Sequence, residues 1–268
     1  MAEPGESEDD AALTCPAGTT FTRRDGGATQ MCVLDGAVHG EFARFGPDGE
    51  RLELAHYEHG LLEGAYSVWD ASGTPRIEGR FQQGARAGKW RWYTSDGALW
   101  VESDGPNFVE FHPGGQPRFV HDDDGDRAFA TDGSAVPLED YVMALASVPV
   151  RPNSVDGSLS IMMAQSPAER VRAYAPPDSS SLESLAPPQT CSLARRVRAP
   201  AWPIADDLEV SVTVSHRYPL PPLLGVGLRP TVEALHSSVG QLRLSMLGAL
   251  SELPGLTHVS GPACVNQR

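Results

Sequence analysis

Short apolar and aromatic runs, cut by glycine at a fixed interval, dominate the first half of the chain. Gly36, Gly60 and Gly84 are 24 residues apart; so are Gly40, Gly64 and Gly88, and so are Gly49, Gly73 and Gly97. The aromatic residues keep register with them: Phe42, Tyr66 and Trp90, then Phe45, Trp69 and Tyr93, with Tyr57 and Phe81 in between. Gly49, Gly73 and Gly97 follow Pro47-Asp48, Ala71-Ser72 and Ser95-Asp96, turn sequences in which glycine supplies a positive φ at little cost. The Gly-x-x-x-Gly stretch marks the second turn of each unit. Each unit is therefore expected to be a hairpin of two short strands. An isolated hairpin is marginal in water, so successive units are expected to stack into one antiparallel meander. Side chains alternate faces with a period of two, and an even repeat returns each aromatic to the same face. Phe42, Tyr66 and Trp90 are thus expected to be neighbours on one face of one sheet.

The rhythm fades beyond residue 104. Phe108, Phe111 and Gly115 keep the spacing of Phe42, Phe45 and Gly49, and Phe129 and Gly133 keep its last step, both without Gly-x-x-x-Gly. From about Val136 the composition shifts. Residues 138–148 suit a short helix, 158–165 a strand and 167–175 a second helix, followed by a Pro/Ser-rich mobile loop at 176–189. Residues 208–215 alternate apolar and polar, the pattern of a half-buried strand. Val232, Leu235, Val239, Leu242, Met246, Leu250 and Leu253 recur at steps of three and four, which predicts a helix over 231–252 between Pro230 and Pro254-Gly255. Residues 256–264 read as a last strand. The fold class expected is mainly β, a hairpin-repeat meander followed by a small α+β module. Its parts are an acidic disordered segment over 1–14, the stapled hairpin and repeats over 15–135, and the module over 136–268.

Charge narrows the function classes. The chain of 268 residues carries 21 Lys+Arg against 35 Asp+Glu, a net charge of −14. Over residues 33–104 twelve acids face seven bases. Nucleic acid and anionic membrane both need clustered cations, so neither is expected as a partner. No apolar stretch reaches the ~18–20 residues that cross a bilayer as a helix.

Four cysteines are present: Cys15, Cys32, Cys191 and Cys264. None sits in a zinc-knuckle spacing, so no metal is expected. Cys15 and Cys32 bracket a segment containing the turn Asp25-Gly26-Gly27, and a disulfide between them would staple a hairpin, worth about 3 kcal/mol for a loop of that size. Cys191 then pairs with Cys264 by elimination. Four reduced thiols in a cytosolic protein are the alternative. Disulfides imply an oxidising compartment, so a periplasmic, outer-membrane-associated or secreted location is expected, with a signal segment absent from this sequence; the alternative is cytoplasmic.

One full unit runs Gly60-Leu-Leu-Glu-Gly64-Ala-Tyr66-Ser-Val-Trp69-Asp-Ala-Ser-Gly73 and continues Ile77-Glu-Gly-Arg-Phe-Gln-Gln-Gly84. This pattern resembles MORN repeats, in the variant of bacterial proteins described as antitoxin-like. The resemblance covers residues 33–104 and extends weakly to 134. It implies a scaffold or interaction surface and no catalytic machinery. The antitoxin description brings no residue-level mechanism.

Individual residues offer little chemistry. Asp122, Asp124 and Asp126 have the alternate spacing of a calcium loop, but Arg127 stands where that loop needs glycine and Gly133 where it needs glutamate, so a solvated acidic turn is favoured. His236, Ser237 and Ser238 lie on the expected long helix without a nucleophile elbow. Trp90, Trp92 and Tyr93 concentrate aromatic area in one unit; an exposed Trp92 would anchor a partner, and ladder packing is the other reading. No catalytic residue, cofactor or metal ligand is expected. The function expected is a non-enzymatic scaffold whose partner is another protein. The alternatives are a cytosolic antitoxin-type binding partner and a hydrolytic C-terminal module targeted by the repeats.

Overall fold

The computed structural model describes residues 13–151, 153–155, 159, 160, 163, 194–196, 204, 208–222 and 228–261. The chain forms two compact units, Met1–Gly125 and Asp126–Arg268. The helix expected at 167–175, the loop at 176–189, the Cys191–Cys264 pair and the acidic segment up to residue 12 lie outside the described residues.

The first sheet has 13 strands. They are β1 (Thr20–Arg24), β2 (Thr29–Leu34), β3 (Ala37–Phe45), β4 (Arg51–Glu58), β5 (Leu61–Trp69), β6 (Pro75–Gln82) and the short β7 (Ala85–Arg86). After these come β8 (Lys89–Tyr93), β9 (Leu99–Asp104), β10 (Asn107–Phe111), β11 (Pro117–Asp122), β12 (Gly125–Phe129) and β13 (Ala135–Val136). They lie in sequence order, except that β7 pairs only with β6 and β8 takes the place beside β6. The architecture is mainly β and the repeats form a meander, as the glycine rhythm predicts.

The three glycine classes have three different jobs. Gly36, Gly60 and Gly84 are the second residues of two-residue hairpin turns, each preceded by a non-glycine at positive φ: Asp35 (+49°), His59 (+49°) and Gln83 (+50°). Both central residues are left-handed, the geometry that matches the twist of a hairpin. Gly49, Gly73 and Gly97 occupy equivalent turns at φ +82°, +81° and +83°, each donating its N–H to the carbonyl three residues back. Gly115 and Gly133 repeat that turn at +82° and +83°. Gly40 and Gly64 are not turn residues. They lie where the ladder slips between β2 and β3 and between β4 and β5, as left-handed residues of β-bulges. Gly88 sits at φ +60° where β7 breaks before β8. The turn glycines are spaced by 24 residues up to Gly97 and by 18 to Gly115 and Gly133. The later hairpins have dropped the bulge and pair without a slip between β9 and β10, which is why the pattern fades rather than ends.

Adjacent repeats are stitched at the two-residue turns. Gly60 N–H donates to the Val38 carbonyl at 2.8 Å and Gly84 N–H to the Leu62 carbonyl at 2.9 Å. Beside each bond the preceding residue donates to a side chain of the earlier repeat: His59 N–H to His39 Nδ1 at 3.3 Å, Gln83 N–H to Glu63 Oε2 at 2.8 Å. The equivalent position of the third repeat is Ala87, which has no side-chain acceptor.

One face of the sheet carries the apolar packing. Across it Phe42, Ala55, Tyr66 and Gly79 stand opposite one another, and beyond the β6–β8 seam Trp90, Ser103, Phe108 and His121 continue the row. Large and small side chains alternate. Tyr66 and Trp90 share the face with ring centroids 5.9 Å apart, as expected, and Phe42 stands on it two strands from Tyr66. A parallel row holds Val68, Ile77, Trp92, Val101 and Phe119, all buried. Glu53 and Glu110 are the buried acids of this row. Glu53 accepts from Tyr66 Oη at 2.7 Å and Arg44 Nε at 3.0 Å; Glu110 accepts from Arg118 at 2.8 Å and Trp100 Nε1 at 3.3 Å. The opposite face carries Ser67, Glu78, Arg91 and Glu102 in a row across its middle, with Val109 opposite Val120 beyond them. At its start Leu13, Cys32 and Ala43 bury one another against Cys15, Phe45 and Leu54.

In the second unit a sheet is ordered β14 (Ala194–Arg196), β15 (Leu208–His216), β17 (Ser237–Arg243) and β16 (Leu228–Glu233), with β18 (Leu256–Ser260) also on β15. Helices α1 (Leu138–Ala146) and α2 (Leu247–Ser251) accompany it. The strand expected at 208–215 and the helix expected at 138 onward are present. Two expectations are corrected. Leu159, Ser160 and Met163, expected in a strand, are helical; an apolar run of that length does not distinguish strand from buried helix. The helix over 231–252 is instead a hairpin of β16 and β17 followed by one turn of 3-10 helix and α2. Its apolar spacing was coincidental: Val232 and Val239 are 59% and 39% exposed, while Ser238, Gly240 and Leu242 point inward at a strand period. Pro230 lies within β16, opposite Gly240, on an edge where its missing N–H costs no ladder bond.

Candidate functional site

The polar face of the first sheet is grooved at the seam between β6 and β8. There the third Gly-x-x-x-Gly stretch interrupts the returning strand at Ala87 and Gly88. The Arg80 carbonyl is taken by Ala87 N–H at 2.8 Å and by Trp90 Nε1 at 3.2 Å. Ladder pairing between β6 and β8 is confined to Ile77 with Trp92 and Glu78 with Arg91. The separated backbones leave an open groove of about 480 Å³, floored by Gly79, Ala87 and Gly88 and walled by Glu63, Glu78, Arg80, Gln82, Lys89 and Arg91.

Its acids are already engaged. Glu63 accepts the Gln83 N–H, and Glu78 accepts Tyr93 Oη at 2.7 Å. Partial burial, reinforced by the Glu78 carboxylate, pushes the Tyr93 phenol up to about 12. Glu102 accepts from Arg91 Nε at 2.8 Å and Lys89 Nζ at 3.3 Å, and the Arg91 hydrogen bond above all holds its carboxyl below the usual range. Among the described residues Arg80 has no ion-pair partner. Lys89, the sole lysine of the chain, stands with Arg80 and Arg91 on this wall.

The three aromatic candidates divide between the two faces. Trp90 and Trp92 are 1% and 3% exposed, stacked at 5.8 Å, with the Arg86 guanidinium over both rings at 5.5 and 5.7 Å. Neither presents a free indole, so ladder packing is their role. Tyr93 lies on the polar face, tied to Glu78 at the groove. The expected Cys15–Cys32 disulfide is formed. It holds Leu13 and Cys15 over Cys32, and Pro16 lies so close to Gly40 that a Cβ there would meet its Cδ at 2.6 Å. Asp122 spends its Oδ1 on the Asp124 N–H, making the acidic stretch a turn between β11 and β12.

One arrangement in the second unit is not anticipated by the sequence. His216 Nε2 and Ser238 Oγ are 3.1 Å apart, and His216 Nδ1 is 2.8 Å from the Tyr218 carbonyl. The pair has the elements of a base and hydroxyl, but Ser238 is 1% exposed. Twenty-two residues separate the two, and only the β15–β17 pairing joins them.

The fold thus defines a repeat β-meander joined to a small α+β unit. No protein-family model matches the chain, and no curated protein does. Among solved structures it is similar to the complex of accessory secretory proteins 1, 2 and 3 of Streptococcus pneumoniae, with 13% identity and a TM-score of 0.25, over 35% of this chain and 19% of that one. It is also similar to the glycosylation-associated Gap123 complex of Streptococcus agalactiae, with 15% identity and a TM-score of 0.23, over 33% and 17% of the two chains. For a GtfA/B complex bound to UDP and GlcNAc the values are 14% and 0.18, over 49% and 27%. The chain spans about a quarter or less of those chains, and likenesses this slight carry no functional argument.

Proposed function

We propose that this protein is a non-enzymatic, extracytoplasmic interaction scaffold built on MORN-like repeats, whose partner is another protein. The observation that carries the reading is the division of labour between the faces of the sheet. One face is consumed by its own aromatic rows, and the other is charged and exposed around the β6–β8 seam, where the break in the repeat leaves a groove. Such a face offers fixed side chains on rigid strands, which is what a recognition surface requires. The disulfide at Cys15–Cys32 supports an oxidising compartment over the reduced, antitoxin-type alternative. A thiol count on denatured, unreduced protein separates these two.

The test is site-directed photo-crosslinking in native extract, with the reactive residue placed at Gln82 on the groove wall or at Val232 on the second unit. The scaffold reading expects one protein captured from Gln82 and not from Val232. Capture of nothing from the polar face, or of the same set from both positions, overturns it. The hydrolytic alternative has the His216–Ser238 pair in its favour, and labelling of Ser238 by a fluorophosphonate would establish it.

A further inference from the structure

We infer that the groove at the β6–β8 seam docks an acidic, extended peptide segment of the partner protein; the inference rests on the scaffold reading and names the chemistry of its ligand. Three cations, Arg80, Lys89 and Arg91, converge on this wall in a chain whose net charge is −14. Arg80 has no carboxylate of its own among the described residues. Lys89 and Arg91 share Glu102, so one carboxylate serves two cations and leaves donor capacity on both. Guanidinium groups bind carboxylates through paired N–H donors, and Arg80 is free to do so.

The same wall speaks against a bare anion. Glu63 and Glu78 line the groove with the cations and would repel a phosphate or sulfate lying between them. A peptide carries both halves of the complement: side-chain carboxylates for the arginines and lysine, and backbone N–H groups for the glutamates and the Gln82 amide. The floor of Gly79, Ala87 and Gly88 lets a main chain approach closely. The pairs would be exposed, so binding is expected to be weak, fast and dependent on ionic strength.

The test uses the full chain and a fluorescein-labelled hexaglutamate peptide followed by anisotropy, with hexaglutamine and hexalysine as controls. Saturable binding of hexaglutamate alone is expected at low ionic strength. The combined variant Arg80→Ala, Lys89→Ala should weaken it roughly tenfold, as should added salt beyond about 0.2 M. Both side chains are exposed, and an unchanged denaturation midpoint confirms that the variant is folded. No saturable binding, or binding that the variant leaves intact, overturns the proposal. So does binding that appears only after residues 1–10 are removed, because the chain's own Glu3, Glu6, Glu8, Asp9 and Asp10 would then be the occupant. In each case capture from Gln82 can persist, which keeps failure of the ligand chemistry distinct from failure of the scaffold reading.

Discussion

The indole of Trp90 lies flat on Gly79, so that a Cβ at residue 79 would sit 2.2 Å from Trp90 Cδ2. The ring is held there by its Nε1 bond to the carbonyl of the next residue on the glycine's strand, Arg80, at 3.2 Å. Gly79→Ala should therefore cost about 1–3 kcal/mol through overpacking, although one methyl is added to an ordinary strand residue. Gly73→Ala should cost about 1–2 kcal/mol for a different reason, the left-handed φ of +81° with open space around it. Chemical denaturation of each single variant and of each combined with Trp90→Phe separates the causes. Only the Gly79 loss should shrink in the smaller ring's presence; equal losses in both backgrounds would contradict the contact.

The repeat-to-repeat stitch makes a second prediction. Removing the acceptor in Glu63→Ala should destabilise the sheet by about 0.5–1.5 kcal/mol, while Glu63→Gln keeps an oxygen for Gln83 N–H and should cost less. Amide exchange at Gln83 should quicken in Glu63→Ala and stay slow in Glu63→Gln. The second repeat junction is then shown to depend on a side chain outside the backbone ladder.

Gly240 discriminates strand from helix in the second unit. A Cβ there would lie 2.4 Å from the Arg229 carbonyl across the β16–β17 pair. Gly240→Ala should destabilise the unit by about 1–3 kcal/mol. In a helix the same change would stabilise by about 1 kcal/mol. The sign of the shift in thermal midpoint decides between them.

Two tyrosines give a signature at high pH. Burial, with the Glu53 carboxylate adding to it, pushes the Tyr57 phenol up to about 12, and Tyr93 reaches about 12 through burial and its bond to Glu78. Both values lie above the ordinary phenol near 10. Folding thus favours the neutral form, so this stability is complete below about pH 10 and is lost as pH rises toward 12. Absorbance of tyrosinate should show a late-titrating fraction in the native protein that moves to about pH 10 in denaturant. Tyr93→Phe should remove part of that fraction and flatten the alkaline loss.

The alternation of large and small residues across the aromatic face was in the sequence all along. Ala55, Gly79 and Ser103 are themselves 24 residues apart, and on the sheet they fall between Phe42 and Tyr66, between Tyr66 and Trp90, and between Trp90 and Phe108. They pass unnoticed because small residues carry no visible signal until the register shows what they make room for. The groove was hidden for a similar reason. Arg80, Lys89 and Arg91 read as ordinary strand charges until the break at Gly88 sets them around one opening. His216 and Ser238 belong to different strands, and no local pattern links them.

Turn chemistry is local, and this is why the sequence alone determined the hairpins, their period and the class of fold. A residue that must take a positive φ announces itself as glycine wherever the chain places it. The Cys15–Cys32 bond was legible for the same reason, since the turn between its cysteines is short. What only the tertiary structure decided is whatever depends on pairing at a distance. Val232, Val239 and Leu242 satisfy a helical spacing as readily as a strand carrying its apolar residues on both faces. The choice falls to β15, which pairs with Ser237–Arg243 and buries Ser238, Gly240 and Leu242 from one side. Apolar spacing constrains one element at a time, whereas register is fixed by the neighbour it packs against.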